Sequence, residues 1–319
     1  MTASPTPLAG PVAVIGTGLI GAAWATLFLA RGLDVVAYDP APDAETQLRA
    51  TLATQWPAMQ SLGLAPGASV ERLRFAASPE DAVAHATFVQ ESGPEDGPLK
   101  RALFQRLDAA APPAAILASS SSTLGPSHYQ DACARHPERV LLGHPFNPAH
   151  LIPLVEVLGG PATAPGAITR AMDFYRALGK HPILLHKEIN GHVANRLQAA
   201  LWQEAFHLAA EGVASIADID AAIAQGPGLR WALLGPFLNL HFAGGPGGIA
   251  ALFEKPLWRA TEGMWADLGR AHVDTRLAQV AREGVAEALA GREAEAVREA
   301  RDEALLALLR LKAAQESLA

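Results

Sequence analysis

Val12-Ala13-Val14-Ile15-Gly16-Thr17-Gly18-Leu19-Ile20-Gly21 decides the fold: four apolar residues, then G-x-G-x-x-G, then an apolar helical run from Ile20 to Arg31. An apolar strand that ends in this turn and feeds a helix is the fingerprint of a dinucleotide-binding unit. Gly16 makes the tight turn, Gly18 lets the backbone approach a pyrophosphate, and Gly21 lets helix and strand pack closely. Thr17, Leu19 and Ile20 complete the cradle, and the helix N-terminus offers N–H groups and dipole to the anion. Such a turn alone is a weak signal, because Gly-rich turns are common. Here a second strand, Leu33–Tyr38, delivers Asp39 eighteen residues past Gly21, where a carboxylate accepts from the adenosine ribose hydroxyls. It would repel a 2′-phosphate, so Asp39 selects NAD. The competing view of Asp39-Pro40 is a plain Asx-type turn, and an S-adenosylmethionine or flavin site can share the glycine pattern.

Outward from that turn, apolar strand-like runs alternate with amphipathic segments, the pattern of a parallel sheet flanked by helices. Strands are expected at Arg74–Ala76, Ala86–Gln90, Ile116–Ala118, Val140–Gly143, Leu154–Leu158 and His181–Leu185. Helices are expected at Asp43–Leu62, Leu99–Ala110 and Ala167–Leu178. From about Ile189 the strand runs vanish and helix formers recur at three- and four-residue spacing, as in Val193–Glu211. Asp218–Gln225 reads as a short helix capped by Asp218, Gly226–Pro236 and Ala243–Gly248 as turns, and Glu283–Leu318 as one long terminal helix. The fold class is therefore α/β: a Rossmann-like dinucleotide-binding domain over residues 1–188, then an all-helical substrate and dimerisation domain over 189–319.

The 319 residues carry 25 Lys+Arg against 32 Asp+Glu, a net charge of −7, so no basic field exists for nucleic acid or an anionic membrane. The lead Met1–Pro11 lacks the charged and apolar regions of a signal peptide. With one cysteine, Cys133, no internal disulfide forms, and the cytoplasm is the default compartment.

Two further stretches carry chemistry. Ser119-Ser120-Ser121-Ser122-Thr123 follows an apolar strand, at the sheet edge where ligands lie in open α/β folds. Gly143-His144-Pro145-Phe146-Asn147-Pro148 follows another, and Glu156 lies twelve residues past His144 inside apolar Leu154–Leu158. A carboxylate in an apolar strand is costly unless paired, and His144 is its natural partner. Oxidising a secondary alcohol with NAD needs a base for the hydroxyl proton, and imidazole suits that task near neutral pH. Ser122 and Asn195 are placed to meet the reacting oxygen. A Ser/His/Glu hydrolase would use the same residues, but no G-x-S-x-G elbow is present and the dinucleotide turn would be unexplained. His, Asp and Glu are too scattered to suggest a metal site.

With these residues in hand the chain resembles the 3-hydroxyacyl-CoA dehydrogenase family, and more closely its lambda-crystallin-like branch. The resemblance rests on Gly16–Gly21, Gln90–Glu95, Leu99–Arg101, Ser119–Leu124, His144–Pro148, Leu154–Glu156, Lys187–Ile189 with Gly191, and Asn195–Leu197. It implies that His144 is the base, Glu156 its orienting partner, and Ser122 and Asn195 the contacts to the substrate oxygen. It also implies that Glu95, Lys100 and neighbouring Asn147 meet the nicotinamide half of NAD, and that the protein is a homodimer. The implied reaction is oxidation of the 3-hydroxyl of a small L-3-hydroxy acid, L-carnitine foremost, with L-gulonate or a 3-hydroxyacyl-CoA as alternatives. A non-catalytic crystallin-like or NAD-sensing protein is the reading of another class. Relatives acting on CoA thioesters carry a lysine-rich excursion after the second strand, whereas residues 43–73 hold no lysine and only Arg49 and Arg72 as basic residues. Arg230 is a candidate for a substrate carboxylate, and Trp231 for a quaternary ammonium.

Overall fold

A computed structural model describes residues 10–315, and two compact units divide at Arg196/Leu197. The Met1–Ala9 part of the lead and residues 316–319 of the expected terminal helix lie outside the described residues.

In the first unit the elements run β1 (Val12–Ile15), α1 (Leu19–Ala30), β2 (Val35–Tyr38), α2 (Ala44–Leu62), β3 (Leu73–Phe75), α3 (Pro79–Val83), β4 (Phe88–Glu91), α4 (Gly97–Ala110), β5 (Ile116–Ser119), β6 (Val140–Pro145), β7 (Leu154–Gly159), α5 (Pro165–Ala177) and β8 (His181–Leu184). They form one eight-stranded sheet in the order β3-β2-β1-β4-β5-β6-β7-β8. Chain order reverses between β1 and β4, and ligands of open α/β sheets bind outside the carboxyl ends of the strands at such a switch point. The turns after β1, β4 and β5 all open on that edge.

Central strands β1, β4, β5 and β6 are buried along their whole length, as continuous apolar runs covered on both faces require. Helix α1 is apolar on nearly every side, with Gly21 through Ala30 all buried. Its Trp24 stacks on Phe28 and meets Tyr175 of α5, and Phe88 of β4 stacks on Phe174 at 3.9 Å. Of these aromatics Trp24, Phe28, Phe88 and Tyr175 are buried, and burying a side chain of this kind contributes roughly 1.5–3 kcal/mol.

One departure from an all-parallel sheet matters most. Strand β7 runs antiparallel to β6, with His144 directly opposite Glu156, and β8 then returns parallel to β7. Side chains directly opposite in an antiparallel pair share a face and lie closer than any others across the strands. The reversal spans residues 146–153, short enough that a parallel crossover is impossible. The loop is held from within by buried Lys180, whose ammonium donates to the carbonyls of Ala149 and Ile152. Burial lowers the Lys180 pKa to about 7, with Arg31 adding to the effect.

The second unit is helical: α6 (Ala194–Ala210) spans the division, followed by α7 (Ile216–Ala224), α8 (Pro227–Trp231), α9 (Pro236–Ala243), α10 (Gly248–Phe253), α11 (Pro256–Asp267), α12 (Thr275–Leu289) and α13 (Ala294–Ala313). Three expectations are corrected here. The cap of α7 is Ser215, which accepts from the Asp218 N–H, so Asp218 sits inside the first turn. Gly226–Pro236 contains the short helix α8 rather than turns alone. The single terminal helix is two, because Ala290 and Gly291 both adopt left-handed backbone, φ +48° and +75°, which ends α12. Among the described residues no helix is long and apolar enough to cross a membrane.

Candidate active site

The glycine turn is built tightly. A Cβ on Gly21 would lie 1.8 Å from the Gly16 carbonyl oxygen, and Gly16 itself has φ +89° with Ser92 O only 2.7 Å from where a Cβ would sit. At Gly18, by contrast, a Cβ would meet no protein atom within 4 Å, so the backbone there faces open space as a pyrophosphate approach requires. Asp39 sits against this turn: its Oδ2 accepts from the Thr17 N–H at 2.8 Å and its Oδ1 from the Ala41 N–H at 3.0 Å. The second bond is the Asx-type turn; the first ties the acid to the cradle. These residues fit NAD. Gly16–Gly21 would hold the pyrophosphate and Asp39 the ribose.

At the next turn, Glu95 gathers the serine run. Its carboxylate accepts from the hydroxyls of Ser121, Ser122 and Thr123 and from the Ser122 N–H. Partial burial works against the ionised form, but these donors outweigh it and hold the carboxyl below its ordinary range. Ser120 is a junction: its hydroxyl meets Trp24 Nε1, Gln90 Nε2 and Ser92 Oγ at 3.2, 2.8 and 2.9 Å.

Lys100 departs from expectation. It is 1% exposed, and its ammonium donates to both oxygens of Glu91 at 2.7 Å. Glu91, equally buried, also accepts from Ser119 Oγ and the Gly93 N–H at 2.6 and 2.7 Å. The ammonium is enclosed against a bidentate carboxylate that also holds the Glu91–Gly93 bend, so both buried charges are satisfied. The signal for this pair was the same one that exposed Glu156: a carboxylate inside an apolar strand.

His144 and Glu156 meet as their register requires, Nδ1 to Oε2 at 2.8 Å, both buried. The other carboxylate oxygen, Oε1, accepts from the N–H groups of Val193 and Ala194 at 2.9 and 3.0 Å. Burial alone would raise the Glu156 pKa, but the His144 bond and then these two N–H groups lower it on balance. A carboxylate at Nδ1 places the ring proton there and leaves Nε2 as a free acceptor, the tautomer a base needs. Phe146 stands edge-on to the His144 ring at 5.4 Å. Because the Val193 and Ala194 donors belong to the sheet's site, the first unit continues past 188 to Arg196 and includes half-buried Asn195. Asn147 is exposed on the loop after β6. Arg230 and Trp231 lie on α8 in the second unit, both exposed. Sequence reasoning missed His192, buried beside His144 with ring centroids 5.0 Å apart.

Residues 11–189 match the 3-hydroxyacyl-CoA dehydrogenase NAD binding domain, and residues 191–287 match the C-terminal domain of the same family. The chain belongs to the 3-hydroxyacyl-CoA dehydrogenase family. It is thus an NAD-dependent oxidoreductase, as the glycine turn and Asp39 indicated. Among similar proteins, the L-carnitine dehydrogenase of Streptomyces griseus subsp. griseus is 48% identical over 94% of this chain and 89% of its own. That of Pseudomonas aeruginosa is 48% identical over 93% and 92%. Among solved structures, 5-formyl-3-hydroxy-2-methylpyridine 4-carboxylic acid 5-dehydrogenase, an NAD⁺-dependent dismutase, superposes with a TM-score of 0.80 at 29% identity, covering 94% of this chain and 97% of that one. The (S)-3-hydroxybutyryl-CoA dehydrogenase of Ralstonia eutropha gives 0.61 at 26%, covering 82% and 95%.

Proposed function

We propose that this member of the 3-hydroxyacyl-CoA dehydrogenase family oxidises the 3-hydroxyl of L-carnitine to 3-dehydrocarnitine. The observation that carries the chemistry is the His144–Glu156 pair, held in the basic tautomer at the carboxyl edge of an NAD-binding sheet. His144 Nε2 takes the hydroxyl proton, and Glu156 stabilises the imidazolium that forms. Ser122 and Asn195 hydrogen-bond the reacting oxygen, and Glu95 fixes Ser122 in place. NAD, when bound between Gly16–Gly21 and Asp39, supplies the acceptor for the two electrons and the carbon-bound hydrogen. A base so placed contributes about 10²–10⁴-fold.

The choice of a free acid over a CoA ester is supported by the α2 region. Residues 43–73 hold no lysine, and their two basic residues, Arg49 and Arg72, face Glu45 and Asp34 at 2.8 and 3.1 Å, so no cluster of free cations awaits the CoA phosphates. The choice of carnitine is supported by relatives of that name at 44–48% identity. Arg230 would take the substrate carboxylate and Trp231 its quaternary ammonium. We assign cofactor binding and catalysis to the unit that reaches Arg196, Asn195 included, and substrate binding and dimerisation to the helical unit from Leu197 onward, in a homodimer working in the cytoplasm. Following NADH formation with L-carnitine, L-gulonate, L-3-hydroxybutyrate and 3-hydroxybutyryl-CoA side by side tests the substrate. L-Carnitine should give the highest kcat/KM by at least tenfold; a higher value for any other compound overturns the choice.

A further inference from the structure

His192 is 1% exposed and sits in left-handed backbone, φ +52°, directly after Gly191 at φ +75°. That conformation is uncommon for a residue with a Cβ, though less so for His than for most, and here its surroundings hold it. Both sides of the residue are in use. On the backbone side, the two left-handed residues turn the chain so that the next two N–H groups, of Val193 and Ala194, converge on Glu156 Oε1. On the side-chain side, Nε2 lies 3.1 Å from the carbonyl oxygen of Ser121. A carbonyl only accepts, so Nε2 carries the proton and Nδ1 is bare. Nδ1 is enclosed without a partner, which leaves an imidazolium there no acceptor for its second N–H. Burial accordingly lowers the His192 pKa, with neighbouring His144 contributing. Of the two adjacent imidazoles, only His144 is hydrogen-bonded to a carboxylate.

We propose that His192 is a positioning residue for the dehydrogenation: it ties the Ser121–Ser122 turn to the segment that holds Glu156, and so sets Ser122 against His144. The inference rests on the reading of His144 as the base and Ser122 as a contact of the reacting oxygen. A phenylalanine at this position would keep the ring packing and lose the tie. Its loss lets the turn shift, and a displacement of about 1 Å at a reacting centre costs on the order of 10²-fold in rate.

The test compares three variants with the wild type on whichever hydroxy acid the wild type oxidises, so a wrong choice of substrate leaves it intact. His192→Gln carries an N–H donor at the reach of Nε2. His192→Asn tolerates left-handed backbone better than Gln but is too short to reach Ser121. We expect His192→Phe and His192→Asn to lower kcat by roughly 10–100-fold, with KM for the hydroxy acid within about threefold. His192→Gln should restore kcat to within about fivefold of wild type, and thermal unfolding should not follow this order. Wild-type kcat in His192→Phe, or equal kcat in the Gln and Asn variants, overturns the proposal. If His192→Phe fails to fold, the Gln–Asn comparison decides alone.

Discussion

At the scale of single residues, the site is an economy of buried charges, each with its partner on a neighbouring element. Glu156 spends one oxygen on His144 and the other on two backbone N–H groups, and its pKa is lowered as a result. The sign of the pH dependence follows. A carboxyl whose folded pKa lies below its unfolded value of about 4.3 adds stability above that value, and this is lost as pH falls through the folded pKa. Glu156→Gln should therefore be less stable at pH 7 by about 1.5–3 kcal/mol, the worth of hydrogen bonds to a charged group. It should then lose less further stability than wild type between pH 5.5 and pH 3.5, as read by urea unfolding at both pH values. An equal loss in the two proteins would show that Glu156 is not the linked group. His144 and Glu156 were legible in the sequence because a carboxylate in an apolar strand demands a partner. Glu91 gives the same signal, and its partner Lys100 lies nine residues on. His192 gave none, since nothing in a sequence marks a non-glycine residue as left-handed.

At the scale of elements, strand and helix periods were readable through the first unit, with ends displaced by a residue or two, except for the five-residue helix α3, too short to show a period. The β1 turn and Asp39 could be placed because their glycines and acid stand at mechanically required spacings, and the Thr17–Asp39 bond joins them. The antiparallel reversal of β7 was not readable: a buried strand has the same apolar pattern in either direction. Yet that reversal is what sets His144 opposite Glu156, so the twelve-residue spacing is the outcome of a hairpin-like return rather than of local chain geometry. The break at Ala290-Gly291 was signalled by the glycine, a common helix stop, and was overridden by the helical composition on both sides.

At the scale of the whole molecule, the two units differ in how they bury apolar surface. The sheet unit has an extended core, whereas among the described residues after Arg196 only Ala209, Leu252 and Leu277 are buried apolar side chains. Phe237 is 75% exposed, with Phe242, Met264, Trp265 and Val213 each more than half exposed. Large apolar side chains left in water on this scale are what an interface covers, and a second copy of the chain is the proposed cover. Sedimentation equilibrium should give twice the 33.4 kDa chain mass, with Phe237→Asp shifting the protein toward monomer; a monomer at micromolar concentration would contradict it. The central claim remains the pairing of His144 with Glu156 as the base of an NAD-dependent dehydrogenation. Its most direct test is His144→Asn, measured for NADH formation with L-carnitine and for NAD affinity by titration. The pairing predicts turnover lowered about 10²–10⁴-fold with NAD affinity within about twofold of wild type, and turnover retained within about tenfold would contradict it.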